Sequence, residues 1–422
     1  MNTNLLSFEN RDIKSFFTLL SGSILSKILF ALGSIFLAKI YGASDFGIFN
    51  TFLSFVILYP VLTSLNLENV IIKLKSPREV RNTHNFALSI SLILSTILTL
   101  ILACLMDLSL ALRNYSLVFF LLCLLGGILT SWSYIQSVLL TKYRFFKQIS
   151  IATLIGTSFS LTFQVLFYFY GHTTELGLIY GWLLGTFFAF IYYILISKFN
   201  FKGFDFKIFR KNVKDNLAIL TFAYPSDAIN TIANNLLPIL TLAFFSSTEV
   251  GTFALASKLI TLPLTFFSSA ISKVYFQKSI RLQENSRMQL LNLTTDIAKI
   301  SITIVAIYII ALNTIGIYFL EKLFSRSEWN NLPSYLLILS PWVISRALVN
   351  PISQVLFTIN KNHFSLIFNI YLVVVNILAV YIGVYFGDYK SCLIFFSIGS
   401  ALGYLAIFFK IFITLRGNGI EQ

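Results

Sequence analysis

Near its middle the chain reads 175-ELGLIYGWLLGTFFAFIYYILIS-197 and then 198-KFNFKGFDFKIFRKNVK-214, an apolar run followed by a basic one. About 20 consecutive apolar residues are enough for a helix to cross the hydrocarbon core of a bilayer, so the first run predicts a transmembrane helix. Lys and Arg close to a span are retained on the cytoplasmic side, so the second run predicts a cytoplasmic loop.

Similar apolar runs recur along the whole chain. Of its 422 residues 57% are hydrophobic and 11% are charged, whereas a soluble domain carries about a quarter charged residues. This composition predicts an all-α polytopic membrane protein and excludes a large catalytic domain outside the membrane. The twelve predicted transmembrane helices lie near 16–39, 47–72, 85–106, 114–140, 148–170, 175–197, 216–245, 250–272, 298–320, 333–358, 364–386 and 391–413.

The basic residues follow these spans in a regular way. If the N-terminus is inside, the inside segments hold 23 of the 31 Lys and Arg residues and the outside loops hold four. This asymmetry is the positive-inside rule, and it predicts that both termini are cytoplasmic. It also explains the net charge of +14: the basic residues set the orientation in the membrane and contact anionic lipid headgroups. We therefore do not expect nucleic-acid binding.

The chain also contains signs of an internal duplication. Asp45-Phe46-Gly47-Ile48-Phe49 and Glu249-Val250-Gly251-Thr252-Phe253 both place an acid, an apolar residue, Gly and Phe in the same order, 204 residues apart. Because six spans is an even number, the halves would be parallel repeats with a substrate cavity between them. We therefore predict two pseudo-symmetric six-helix lobes, 1–197 and 216–422, joined by a basic cytoplasmic linker, 198–215.

The first of these motifs also carries a family resemblance. Residues 39–49, KIYGASDFGIF, resemble the first-loop signature of Wzx-type polysaccharide (O-antigen) flippases in the multidrug/oligosaccharidyl-lipid/polysaccharide exporter superfamily. That family commonly has Arg where this chain has Lys39, and Leu-Gly where it has Tyr41-Gly42. The resemblance implies transfer of an undecaprenyl-pyrophosphate-linked oligosaccharide repeat unit to the outer leaflet of a bacterial inner membrane, for lipopolysaccharide or a similar surface polysaccharide. Implied partners are the lipid-linked oligosaccharide and, beyond it, the polysaccharide polymerase and chain-length machinery; we expect a monomer.

Three cations lie within predicted spans, where an unpaired charge is costly and normally faces a cavity. They are Lys27, Lys258 and Arg346. Several cations with scarcely an anion suit an anionic substrate such as a pyrophosphate, which Arg binds in a bidentate way and Lys as a point charge. Each cation could instead reach an interface or pair with a helix C-terminus or a buried acid.

The anion deepest in a predicted span is Asp227. With Asn230 and Asn234 it forms one face of the seventh predicted helix, which also contains Pro225 and Pro238. A carboxylate with amides on a kinked helix could hold a proton or Na⁺ and couple its gradient to substrate release. The alternatives are that Asp227 pairs with one of the cations or is hydrated near the inner surface.

Two other kinds of function were weighed. A cation-coupled multidrug efflux antiporter of the same superfamily should have carboxylates in its cavity, whereas this chain has mainly cations. A membrane enzyme of polysaccharide assembly, such as a polymerase, needs a sizeable loop for its catalytic groups, and the longest outside loop, near 321–332, offers only Glu321 and Glu328. We therefore expect no enzyme. The three Cys and three His residues have no metal-ligand spacing, so we expect no cofactor beyond an ion gradient.

Overall fold

The computed structural model describes residues 10–108, 116–197, 203–217, 220–221, 224–283, 287–324, 327–359, 361 and 363–417, and these residues are helical almost throughout. No β-strand occurs in these ranges. Each of the twelve predicted spans coincides with a described helix or helix pair. The predicted all-α fold is therefore confirmed.

The first half of the chain contains six long helices and two short ones. The long helices follow one another through short connections, and a short helix precedes the second half. Their bounds are α1 Asn10–Ile40, α2 Ala43–Ser64, α3 Leu67–Lys73, α4 Pro77–Leu108, α5 Leu117–Lys142, α6 Phe146–Phe169, α7 Glu175–Ser197 and α8 Phe206–Asp215.

The second half repeats this plan, with interruptions in two of its helices. A five-residue π-helical segment, Leu312–Gly316, joins α11 to α12. The bounds are α9 Tyr224–Phe244, α10 Ser247–Gln283, α11 Arg287–Ala311, α12 Ile317–Leu323, α13 Leu332–Val349, α14 Gln354–Thr358, α15 His363–Phe386 and α16 Tyr389–Gly417.

The composition of these helices is that of a membrane protein. Within the described ranges, nine helical segments are long and apolar enough to cross a bilayer. Large apolar side chains such as Ile307, Ile310 and Tyr381 are at least 60% exposed, which in a soluble protein would be an aggregation hazard. Exposed apolar faces of this extent are expected where lipid is the solvent. The chain is therefore a multi-pass membrane protein.

Two predicted spans are broken. The span near 47–72 is divided at Leu65 and Asn66, which both have a positive φ. In the span near 333–358, α13 ends at Val349, and turns precede α14. The cause is Pro351, which has no N–H to donate and whose ring clashes with the carbonyl four residues earlier.

The described residues form two compact units. One draws on Met1–Tyr41 and Phe49–Thr231, the other on Gly42–Ile48 and Ile232–Gln422. In the first unit α6 packs on α1 and α7, and α5 packs on α4 and α7; in the second, α16 packs on α13 and α15. The boundary lies inside α9, beyond the predicted linker 198–215, because the linker helix α8 packs on α4 of the first unit.

Candidate functional site

The two copies of the repeated motif meet in the second unit. A Cβ added to Gly47 would overlap the carbonyl oxygen of Ser247, four residues before Gly251, and a Cβ added to Gly251 would overlap that of Ala43, four residues before Gly47. The first turns of α2 and α10 therefore cross at their two glycines, in a reciprocal arrangement. Only Gly lets two backbones approach this closely.

The start of α2 is held by an acid from another part of the second unit. Glu328 accepts a hydrogen bond from the backbone N–H of Ala43 at 3.2 Å, where a negative charge is favourable at a helix N-terminus. Trp329, the next residue, packs edge-on against Phe46 with ring centroids 6.3 Å apart. Glu328 was considered above only as a catalytic acid; its contact here is a helix cap.

Lys258 contacts the same motif. Its Nζ is buried and lies 4.6 Å from the centroid of the Phe46 ring. A desolvated ammonium over an aromatic face gains a cation–π attraction of about 2 kcal/mol. The charge therefore stays inside the second unit and does not reach out to an interface.

Arg346 lies in the last turn of α13. Its guanidinium carbon is 5.5 Å from the centroid of the Trp342 ring, and the side chain is half-buried. α13 ends at Val349, but the backbone N–H groups of Asn350 and Ser353 still donate to the carbonyls four residues earlier. A cation in the last turn of a helix is favoured by the helix dipole, and broken membrane helices are also where transporters place ion and substrate sites.

Lys27 is exposed on α1. Its neighbour Ser26 is buried, and that hydroxyl donates to Thr153 Oγ1 of α6 at 3.4 Å. Ser34, seven residues after Lys27, is also buried, so the face of α1 that bears this exposed cation continues into the helix packing. Lys27 lies in the first unit, whereas Lys258 and Arg346 lie in the second.

The predicted acidic face of α9 is present. Asp227, Asn230 and Asn234 are all exposed on that helix. Asp227 lies in its first turn and accepts a hydrogen bond from Asn66 Nδ2 at 3.0 Å. Asn66, whose own amide oxygen accepts from Asn69 Nδ2, is the left-handed residue between α2 and α3.

Glu68 is a residue whose burial the sequence did not reveal. It is only 5% exposed, and its Oε2 has no hydrogen-bond partner among the described residues. Glu68 lies two residues after Asn66, which donates a hydrogen bond to the Asp227 carboxylate. Two neighbouring carboxylates, one of them buried, are suited to holding a proton. The only sequence signal was Asn66-Leu67-Glu68-Asn69, three polar residues at the end of an apolar run.

Comparison with known families identifies the chain. Residues 36–332, more than two-thirds of its length, match the family model described as "Polysaccharide biosynthesis protein". The chain belongs to this family. The match includes the 39–49 motif, the Gly47–Gly251 crossing and the Asp227 face.

Solved structures show how widely the fold of this polysaccharide biosynthesis protein is shared. An inward-facing multidrug resistance MATE family transporter of the MOP superfamily is 16% identical, with a TM-score of 0.71, covering 93% of this chain and 96% of that one. The lipid II flippase MurJ in an inward closed conformation is 17% identical, with a TM-score of 0.69, covering 94% and 89%. A MOP superfamily transporter from Pyrococcus furiosus is 15% identical, with a TM-score of 0.59, covering 95% and 94%.

The family match confirms a polysaccharide biosynthesis protein, and the solved structures confirm the predicted all-helical fold. No curated protein sequence matches the chain significantly. The assignments of Lys27, Lys258 and Arg346 to an anionic substrate, and of Asp227, Asn230 and Asn234 to a coupling ion, stay predictions.

Proposed function

We propose that this protein is a flippase that moves an undecaprenyl-pyrophosphate-linked oligosaccharide repeat unit from the cytoplasmic to the outer leaflet by alternating access. The observation that carries the proposal is the family match over residues 36–332 in a chain that consists almost wholly of helices. Polysaccharide assembly needs a step that carries a polar glycan across the bilayer. A bundle of membrane helices without a large outer domain suits that step better than polymerisation.

The cations support the proposal that the substrate has an anionic head group. Arg346 and Lys27 lie on membrane helices, and neither forms a salt bridge within the described residues. A pyrophosphate carries the charge such groups bind, while the polyprenyl tail stays in lipid. Lys258 is the weaker candidate of the three, because its ammonium is already placed on the Phe46 ring.

For ion coupling we propose that Asp227 and Glu68 hold a proton in the first unit. Glu68 lies two residues after Asn66, and Asn66 orients Asp227 by donating a hydrogen bond to its carboxylate. Protonation would remove one of two nearby negative charges, so the occupancy of this site changes with the proton gradient. Asn230 and Asn234 continue the same exposed face and would supply amide oxygens if Na⁺ takes the place of the proton.

We propose a bacterial cytoplasmic membrane as the location, with both termini inside. The partners are the lipid-linked oligosaccharide, membrane lipids and the polymerase and chain-length machinery that use the exported units. The surface polymer would be O-antigen or a similar polysaccharide, and the flippase would act as a monomer.

The test is deletion of the gene, with lipid-linked oligosaccharide and polymerised surface polysaccharide measured together. We expect complete repeat units to accumulate while the surface polymer disappears, and the wild-type gene to reverse both effects. Complementation with Lys27→Ala or Arg346→Ala should fail, because each removes a cation proposed to bind the pyrophosphate.

Matched variants separate a binding defect from a general loss of charge. Lys322→Ala removes an exposed lysine from α12, and Arg416→Ala removes an exposed arginine from the last turn of α16. Both should restore the polymer. Normal polymer in the deletion strain together with altered drug tolerance would overturn the proposal in favour of a multidrug antiporter.

A further inference from the structure

A polar cavity lies in the first unit, between the start of α4 and the segment that leads into α8. Its volume is about 380 Å³, which is within the range of small-molecule sites. Its walls include Arg78, Arg81 and Asn82 from α4, and Gly203, Phe204 and Asp205 from the segment before α8. Two arginines and one acid give the lining a net positive charge.

Side-chain amides of α4 hold the wall that precedes α8. Asn82 bonds to the backbone of Asp205 in both directions: its Nδ2 donates to the carbonyl at 2.9 Å, and its Oδ1 accepts from the N–H. Asn85 Nδ2 donates to the carbonyl of Gly203 at 2.9 Å, where the chain turns with a φ of +72°. Both asparagines are buried, so water competes little for these hydrogen bonds. The walls of the cavity are therefore held in place by the protein itself.

The two arginines of this cavity have unused binding capacity. Arg78 and Arg81 are exposed and lie three residues apart near the N-terminus of α4. Neither forms a salt bridge within the described residues; Glu79, the acid between them in the sequence, faces Lys211 at 4.0 Å. Like charges at this spacing on a helix repel each other, and cations near a helix N-terminus oppose the helix dipole. An anion bound to both arginines would offset both costs.

The acid of the cavity already has a structural role. Asp205 is the N-cap of α8, and its Oδ1 accepts a hydrogen bond from the backbone N–H of Lys207 at 2.9 Å. A cation in the cavity would meet two guanidinium charges and only this one carboxylate. A phosphate, in contrast, can accept paired N–H donors from each guanidinium. The charges therefore favour a phosphate-bearing ligand.

Exposed aromatic rings lie beside these charges. Phe204 in the cavity wall is 42% exposed, and Phe206 in the first turn of α8 is 60% exposed. The helix itself is fixed on α4, because Phe209 stacks on Phe86 with ring centroids 3.4 Å apart. Free phosphate would leave the two exposed rings in water. A phospholipid supplies both a phosphate for the arginines and acyl chains for the rings, as at other basic amphipathic helices on membrane surfaces.

We propose that this cavity binds the phosphate of an anionic phospholipid, with Arg78 and Arg81 as its ligands and the rings of Phe204 and Phe206 against the acyl region. Basic pockets beside membrane helices bind anionic lipid head groups in this way. The proposal goes beyond the general attraction of basic loops to the membrane, because it assigns one saturable site to two residues. It also goes beyond the proposed transport function, since none of these residues belongs to the proposed substrate or proton sites.

The test is native mass spectrometry of the purified full-length protein in detergent. The anionic probe is dioleoyl-phosphatidylglycerol, and the comparison is dioleoyl-phosphatidylcholine, which has no net charge. We expect one phosphatidylglycerol to bind about tenfold more tightly than phosphatidylcholine, since hydrogen bonds between charged groups are the stronger ones. The double variant Arg78→Gln, Arg81→Gln should lower the affinity for phosphatidylglycerol to that for phosphatidylcholine. If this variant is not monodisperse, each single Arg→Gln change takes its place, with about a threefold loss expected.

The matched control is Arg210→Gln, Lys214→Gln, which removes the same charge from exposed positions of α8 that do not line the cavity. It should bind phosphatidylglycerol as the wild type does. Equal losses in the two double variants would overturn the site in favour of diffuse attraction to basic residues. Equal affinity of the wild type for both lipids would also overturn it, and displacement of phosphatidylglycerol by millimolar inorganic phosphate would replace the lipid with a soluble anion.

Discussion

At the scale of single residues, the charged groups in the membrane helices differ in how far the protein already satisfies them. Lys258 Nζ lies on an aromatic ring, and Arg346 lies near Trp342 at a helix end. Lys27 is exposed, and Glu68 is buried with an unbonded oxygen. A charged group that is not fully paired in an apolar environment usually has a functional role. Lys27 and Glu68 are therefore the most informative residues to mutate.

The proposed proton site predicts a loss of coupling in Asp227→Asn and Glu68→Gln. Asn at 227 can still accept from Asn66, so the fold should persist while the titratable carboxylate is removed. In proteoliposomes loaded with lipid-linked oligosaccharide, an imposed proton gradient should accelerate translocation by the wild type. It should have no effect on either variant, because neither retains the pair of interacting acids.

Asp215→Asn is the control for this experiment, since Asp215 is an exposed acid at the end of the linker helix α8. It should respond to the gradient as the wild type does. A gradient response that survives in Asp227→Asn and Glu68→Gln would contradict a proton site at these acids.

At the scale of secondary-structure elements, the crossing of α2 and α10 is the feature most sensitive to change. Gly47 and Gly251 face backbone atoms of the opposite helix, which cannot move aside as the end of a flexible side chain can. The same crossing brings Ser44 Oγ and Ser247 Oγ to 2.6 Å. The duplicated motif thus has a packing role in addition to marking the start of a helix.

Gly47→Ala and Gly251→Ala should therefore each destabilise the protein, by about 1–3 kcal/mol, as overpacking of a close contact does. The measurement is the thermal midpoint of detergent-extracted protein, followed by size-exclusion chromatography. Both variants should lose their monodisperse peak at lower temperature than the wild type.

Gly316→Ala provides the comparison, because the added Cβ would meet first the end of the Leu312 side chain, at 3.0 Å, and that side chain can rotate. Its midpoint should stay near that of the wild type. Equal midpoints for all three variants would show that the crossing tolerates a methyl group and that close backbone approach is not required.

At the scale of the whole molecule, the distribution of charge predicts the orientation in the membrane. The basic residues cluster in the first turns of α1, from the end of α3 to the start of α4, around the connection of α5 to α6 and in α8. The connections after α1 and α6 are nearly free of them. The described α8 also fits a cytoplasmic surface position, because Phe206 and Lys207 are both exposed there and an amphipathic basic helix lies at the headgroup level.

Reporter fusions check this orientation. A fluorescent protein fused to the C-terminus should fluoresce, because it folds in the cytoplasm. Alkaline phosphatase inserted after Thr174, between α6 and α7, should be active, and the same enzyme inserted at Gly203, before α8, should be inactive. The reverse pattern of phosphatase activity would overturn the assignment of the termini to the cytoplasm.

Much of this could be predicted from the sequence, and the failures have physical reasons. Span positions were predictable because lipid requires long apolar helices, as in 175–197. The break at Pro351 could not be predicted with certainty because Pro is often tolerated in membrane helices, and whether it breaks one depends on its neighbours. The burial of Glu68 could not be predicted because it follows from the turn at Leu65 and Asn66, where the sequence has no Gly or Pro.

The amino-acid sequence by itself determined the all-helical membrane fold, the approximate spans and the repeated motif, because each of these depends on composition and on residues close together in the chain. Only the tertiary structure decided that Lys258 lies on Phe46 and that Asn66 holds Asp227. These contacts join residues at least 161 positions apart in the chain. Such pairings depend on how whole helices pack, and local sequence does not encode which faces will meet.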